Sequence, residues 1–334
     1  MRSLSQSVTA GFARRRPPNV ETGQDRNRNP HLRLEIDLDV IRYNVEAIAR
    51  AVEVPLLPVV KADAYGLGIE TICDTLSDLA AGFCVFQAQE AITTKLAHRT
   101  GKRVLALGPP ESTDPDDYIP HRITPAVCNP LQARQLRKAH PALCIDTGMQ
   151  RFACPPEQFH DALVSGACSE AFTHATGIDH VKKLKDVTRN YRLTRHAAAS
   201  SLLDDKEAVL DAVRPGLAMY HNAISISVPI AELRESRGPV GYSGFTAERH
   251  GTILAGYAHG LRKGPCLING RRSRVLEVGM QSAFVEAGPE DRVGDDVVLL
   301  GKNLSESDLA ASWNCSPHEA LISLSSMATR RYLY

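Results

Sequence analysis

The sequence predicts an α/β protein: a (β/α)8 TIM barrel followed by a smaller C-terminal β-rich domain. Three observations predict it. Short apolar runs alternate with amphipathic stretches from Leu32 to about residue 200, as in a parallel sheet covered on both faces. Polar residues suited to chemistry (Lys61, Asp146 to Arg151, His174, Ser200 and Arg214) fall at the ends of those runs, where barrel enzymes carry their active groups. After Asn222 the texture changes to short strand-like runs separated by Gly, Pro and Asn. The expected organisation is a disordered basic tail over 1–30, a barrel over 31–225 and a β domain over 226–334, with the boundary near 222–240. An open doubly wound sheet is the alternative, but no G-x-G-x-x-G follows an early strand, which disfavours dinucleotide binding.

The elements follow in order. Leu32 to Leu38 alternates as a strand, and Val40, Ile41, Val45, Ile48 and Val52 keep helical spacing. Further strands are expected at Pro55–Val60, Gly82–Gln87, Arg103–Leu107, Ile123–Cys128, Ala142–Ile145, Ala171–His174 and Arg195–Ala199. Helices are expected at Ile69–Leu79, Pro130–Ala139 and Pro156–Leu163. In the second domain, strands are expected at Val240–Phe245, Gly251–Tyr257, Cys266–Ile268, Arg274–Val278, Phe284–Glu286 and Val297–Leu300.

Composition narrows the function classes. The 39 Lys and Arg against 38 Asp and Glu leave a net charge of +1, so no global field favours nucleic acid or an anionic membrane. No stretch approaches the length of a membrane span. The eight cysteines are scattered without C-x-x-C or zinc spacing, so no metal site is expected, and a reducing, cytoplasmic location fits. Residues 1–30 lack apolar periodicity and an h-region; an organelle transit peptide is the second reading of that basic start.

The stretch that organises the chain is Val59-Val-Lys-Ala-Asp-Ala-Tyr-Gly-Leu-Gly68. A lysine at the end of an apolar strand is partly desolvated, which frees its amine as a nucleophile. Tyr65 and the following glycines are read as allowing close approach of an anion. An ordinary strand-end lysine would be a solvated loop residue. Further along, Arg151 offers a planar fork for a carboxylate or a phenolic oxygen. His174 closes a strand, where a satisfied rim histidine is the commoner case. Ser200 suits an N-cap as well as an anion. In Val213-Arg-Pro-Gly-Leu-Ala-Met-Tyr220, Gly216 lets backbone amides approach an anion. Tyr257, within Gly256-Tyr-Ala-His-Gly260, ends a strand of the second domain, where a buried packing tyrosine is the ordinary reading.

Lys61 to Gly68 resembles the attachment motif of the alanine racemases, fold-type III enzymes that use pyridoxal 5'-phosphate (PLP). The blocks at Cys144–Arg151, Phe172–His174, His196–Ser200, Val213–Tyr220 and Gly256–Gly260 resemble that family's further motifs, in the same order. The resemblance implies that Lys61 binds the cofactor covalently and serves as one acid/base, with Tyr257 from a partner subunit as the other. It implies cofactor contacts at Tyr65, Arg151, His174, Ser200, Arg214, Gly216 and Leu217. His174 would bridge Tyr257 and Arg214, and Arg214 would face the pyridine nitrogen. Arg151 and Met280 would meet the substrate. The departures are Cys144 where a lysine is frequent, Ala199 for asparagine, His259 and Gln281 for aspartates, and His318 for a tyrosine. The implied activity is interconversion of L- and D-alanine by a homodimer with its active sites at the subunit interface. The alternatives are a different or broader amino-acid range, a catalytically weak PLP-binding protein, a decarboxylase (disfavoured by Arg214) and a metal-dependent barrel enzyme.

Overall fold

The computed structural model describes residues 28–334. The tail expected over 1–30 lies outside the described residues up to position 27, and its last residues are ordered. Strand β1 begins at Asn29, whose buried amide donates to Leu254 O at 2.7 Å.

Six parallel strands form one sheet in simple sequence order: β2 (Gly82–Val85), β3 (Arg103–Ala106), β4 (Ile123–Val127), β5 (Ala142–Cys144), β6 (Glu170–Phe172) and β7 (Thr194–His196). Two irregular segments join its edges. Leu56 to Val60 bridges β2 through Val59↔Cys84, and Ala212–Val213 bridges β7 through His196↔Ala212. These two segments also bridge each other through Leu56↔Val213, so the N-terminal domain is barrel-like. Pro55 and Pro58 interrupt the ladder of the first segment, because proline has no N–H to donate. Its Leu56, Leu57, Val59 and Val60 are nevertheless buried.

The second domain is built on an eight-stranded mixed sheet. Besides β1 (Asn29–Asp37), it contains β8 (Ile224–Glu235), β9 (Arg249–Ile253), β10 (Gly264–Ile268), β11 (Arg271–Val278), β12 (Ala283–Glu286), β13 (Asp296–Leu300) and β14 (Ala328–Leu333). The order is β13-β10-β11-β12-β9-β8-β1-β14, and β13 also pairs with β8, closing an antiparallel barrel of six strands. Helices Glu306–Trp313 and Pro317–Ser325 accompany it.

Three expectations are corrected here. Leu32 to Leu38 is not a stave of the N-terminal sheet: β1 pairs antiparallel with β8 and parallel with β14, and Ala212–Val213 stands in the N-terminal ring instead. Residues 31–225 are therefore not one contiguous barrel. The boundary span 222–240 is occupied by β8, with Ile224, Ile226, Val228 and Ile230 all buried. Finally, Val240–Phe245 is a turn closed by one bridge, in which the Tyr242 and Ser243 amides donate to the Glu277 carboxylate at 2.8 and 2.7 Å.

Candidate active site

A cavity of about 770 Å³ opens where the ends of the N-terminal staves meet the start of helix Pro317–Ser325. It brings together seven of the residues singled out in the sequence: Lys61, Tyr65, His174, Ser200, Arg214, Gly216 and Leu217. His318 also lines it. A volume of this size takes a small organic cofactor together with a substrate.

Lys61 is half-buried at the end of the Leu56 to Val60 segment. Burial lowers its pKa, and the cations Arg151 and Arg214 lower it further, while Glu90 opposes them. The residues after it form a turn of left-handed helix: Ala62, Asp63, Ala64 and Tyr65 have φ of 54, 55, 52 and 60°. Such a conformation costs roughly 1–2 kcal/mol for each L-residue, so the surroundings must hold it. Glu90 does so from the first domain: its Oε2 accepts Ala62 N at 2.6 Å, while Oε1 accepts the Phe86 and Gln87 amides. The glycines of the motif have another purpose than the anion approach expected for them. A Cβ on Gly66 would lie 2.3 Å from Ser325 Oγ, and one on Gly68 would lie 2.1 Å from the Tyr332 hydroxyl. They admit the C-terminal strand and the helix before it.

Arg214 is a buried cation. Its Nη2 donates to Thr173 O and to Ala197 O (3.2 Å), its guanidinium lies 4.9 Å from the Phe172 ring centroid, and its Nε has no protein partner. No carboxylate faces it in a hydrogen bond among the described residues. Within this chain, these two carbonyls are the hydrogen-bond acceptors that hold the Arg214 guanidinium. His174 itself stands exposed at the mouth, its pKa pushed down to about 4 by desolvation, then by Arg214, Lys61, Arg151 and His318. Its exposure softens that shift, but four cationic or potentially cationic neighbours keep the ring neutral at pH 7.

At the other end, Ser200 Oγ accepts the amides of Gly216 and Ala218, each at 3.1 Å. With both lone pairs engaged, its O–H is left to donate into the cavity. A Cβ on Gly216 would sit 2.5 Å from the Tyr65 hydroxyl, so only glycine leaves room for this cradle. Tyr65 is buried and packs edge-on to Tyr220 (5.5 Å between ring centroids) and against His318 (5.8 Å). Burial raises the pKa of Tyr65, which keeps it a neutral donor. These groups fit PLP: a cluster of donors for a phosphate, an unpaired guanidinium N–H for a ring nitrogen, and an amine with a lowered pKa.

The remaining sequence candidates lie apart. Arg151 is exposed in a loop where Asp146 accepts the Gly148 and Gln150 amides; its charge reaches Lys61 and His174. Tyr257 and Met280 are 58 % and 60 % exposed on the second domain. Backbone bonds from Tyr257 N to Gly279 O (2.9 Å) and Ala258 N to Met280 O (3.0 Å) place them side by side, away from the cavity of the same chain. Sequence reasoning missed Glu90 and Arg330. Glu90 had a local signal, a Gln87-x-x-Glu90 capping box; Arg330 had none.

The model of the alanine racemase N-terminal domain matches residues 36–223, and that of the alanine racemase C-terminal domain matches 225–332. The chain belongs to the alanine racemase family. An alanine racemase from Mannheimia succiniciproducens is 28 % identical over 352 aligned positions, covering 90 % of this chain and 98 % of that protein. Among solved structures, the biosynthetic alanine racemase of Pseudomonas aeruginosa superposes with a TM-score of 0.82 at 26 % identity, covering 92 % of this chain and all of the other. The alanine racemase of Bartonella henselae, solved with covalently bound pyridoxal phosphate, shares the fold at 22 % identity, with a TM-score of 0.81 over 91 % of this chain. Alanine racemase relatives thus match both domains of this chain, including the C-terminal one.

Proposed function

We propose that the protein is a PLP-dependent isomerase that interconverts L- and D-alanine. The observation that carries the reading is a single cavity that joins a lysine of lowered pKa to a buried arginine with an unpaired N–H. We read the N-terminal ring as a (β/α)8 TIM barrel and the second domain as running from about residue 226, with β1 contributed to it from the N-terminal side. A cytoplasmic location agrees with the scattered free thiols; among the described residues no helix is long and apolar enough to cross a membrane.

Tyr65, Ser200 and the amide of Leu217 would hold the phosphate, with Gly216 leaving room for it and its own amide anchoring Ser200, and Arg214 would hold the ring nitrogen. Bound PLP supplies an electron sink that acidifies the Cα–H of an attached amino acid. Arg214 is donor-only and always protonated, so a ring nitrogen held by it would keep its lone pair. That restrains the sink and favours proton exchange at Cα over transamination. Arg151, outside the cavity wall but close enough for its charge to act on Lys61 and His174, would meet the substrate carboxylate. Lys61 Nζ takes or returns the proton on one face. Inversion requires a second group on the opposite face, and Tyr257, exposed beside Met280, is the candidate, delivered by the second subunit of a homodimer. Cys144, Gln281 and His318 depart from the family around the substrate and phosphate, so a broader amino-acid range is the second reading.

The test incubates the purified protein and PLP with L-amino acids in deuterated water, followed by chiral chromatography and mass spectrometry. D-alanine bearing Cα deuterium is the expected outcome. Racemisation only of other amino acids favours the second reading, and bound PLP with no exchange refutes both. Lys61→Ala is expected to abolish the visible absorbance of covalently held cofactor; an unchanged spectrum removes Lys61 from its role.

A further inference from the structure

The turn that carries Lys61 is held from the far end of the chain. Four donors reach it: Ser325 Oγ bonds Tyr65 O (2.7 Å), Arg330 Nε bonds Gly66 O (2.8 Å), Arg330 Nη2 pairs with the Asp63 carboxylate, and the Tyr332 hydroxyl bonds Leu67 O (2.9 Å). Asp63 is shared, since its Oδ1 also accepts Ile69 N at 2.9 Å and Arg28 Nη2 lies 3.7 Å from its Oδ2. The Arg330 side chain is only 8 % exposed, so water has little access to replace it. Arg330 is not part of the cavity wall.

We propose that Arg330, on β14 of the second domain, is a positioning residue for Lys61. Its fork spans Asp63, the second left-handed residue, and the carbonyl of Gly66, which closes the turn. Released, the turn relaxes toward ordinary right-handed or extended backbone, which L-residues prefer. Lys61 immediately precedes the first left-handed residue, so the relaxation re-aims its side chain. Lys61 thus meets the cofactor correctly only when the second domain is docked. The inference rests on Lys61 being the attachment residue.

The test uses the full chain with Arg330→Ala, Arg330→Lys and Asp63→Asn. Hydrogen–deuterium exchange of residues 62–68 reads the turn, the rate at which visible absorbance develops with added PLP reads Lys61, and steady-state kinetics with alanine separate kcat from KM. For Arg330→Ala, exchange is expected to rise and capture of PLP to slow, each by about tenfold or more, with kcat falling and KM little changed, because misplacing a reacting group by ~1 Å has effects of that order. Arg330→Lys is expected to fall between, keeping a charge for Asp63 but losing the second arm of the fork. If Arg330→Ala does not fold, Asp63→Asn carries the same readouts, since its side-chain carbonyl still accepts Ile69 N. Unchanged exchange and capture in the folded variants overturn the proposal. If the unaltered protein captures no PLP on Lys61, the proposed function fails, and the exchange arm still decides whether Arg330 holds the turn.

Discussion

Arg214 rests on a column of side chains that crosses the barrel-like domain. Phe172 lies against its guanidinium, and the His196 ring stacks on Phe172 at 5.2 Å with planes 6° apart. His196 Nε2 donates to Glu170 at 2.8 Å, and Glu170 takes both arms of Arg103 at 2.6 and 2.9 Å. Since β3 and β6 are not sheet neighbours, Arg103 and Glu170 meet across the interior. Burial alone would raise the Glu170 pKa, but the bonds from His196 and Arg103 outweigh it and hold the group at about 2. His196 is pushed down to about 4, chiefly by burial. A neutral His196 is also what the geometry favours. Arg103 already balances Glu170, and a proton on the partnerless Nδ1 would be an unpaired buried donor. Both folded pKa values lie below the ordinary ones. As pH falls from 6.5 to 4, the unfolded chain takes a proton that folded His196 refuses, and from 4.5 to 2 the same holds for Glu170. Stability is therefore expected to decline from about pH 6.5 downward. His196→Gln is expected to flatten the upper part of the slope, by at most about 1.4 kcal/mol per pH unit, in denaturant titrations from pH 7 to 4.5. Parallel slopes would show that folding does not shift the His196 pKa. The Arg103–Glu170 pair at the base of this column was not visible in the sequence, because the two residues are far apart in the chain and match no motif. Lys61, His174, Ser200 and Arg214 were visible, since each ends a readable apolar run or lies in a distinctive local string.

At the scale of elements, legibility followed the local pattern. Pro55–Val60 was readable because buried aliphatics outlasted the interruption by two prolines, whereas Ala212–Val213 is too short to show a period before Arg214-Pro-Gly. The β1 strand was readable as a strand but not as a member of the second domain, because its partners begin at Ile224 and Ala328. Periodicity states what a segment is and says nothing of what lies beside it. The Lys61 turn shows the same limit: its glycines were readable, but their cause lies about 260 residues downstream. Gly68 has φ +98°, with the Tyr332 hydroxyl and Arg330 Nη1 crowding the position of any Cβ. Gly68→Ala is therefore expected to destabilise the protein by more than about 1 kcal/mol. Tyr332→Phe in the same chain is expected to recover part of that loss. Equal denaturation midpoints for Gly68→Ala and the unaltered protein would disprove the close packing.

At the scale of the molecule, the two proposed acid/base groups of one chain do not share a cavity, which a mixing experiment can exploit. Lys61→Ala and Tyr257→Phe are each expected to be inactive alone. In a mixed dimer, one of the two sites recovers an intact lysine from one subunit and an intact tyrosine from the other. Random reassortment of equal amounts is then expected to restore about a quarter of the unaltered activity. No recovery after verified subunit exchange would place Tyr257 in its own chain's site or outside the chemistry.

The pairing of β1 with β14 has a consequence for biosynthesis. The ribosome releases the chain from the N-terminus, so the barrel-like domain, with Lys61 already in it, is exposed well before Ser325, Arg330 and Tyr332 exist. Until they are made, β1 lacks its parallel neighbour, and the four left-handed residues keep Glu90 but lack the bonds from Ser325, Arg330 and Tyr332. On the proposed roles, the nascent protein therefore carries Lys61 unaimed until residues 325–332 have left the ribosome.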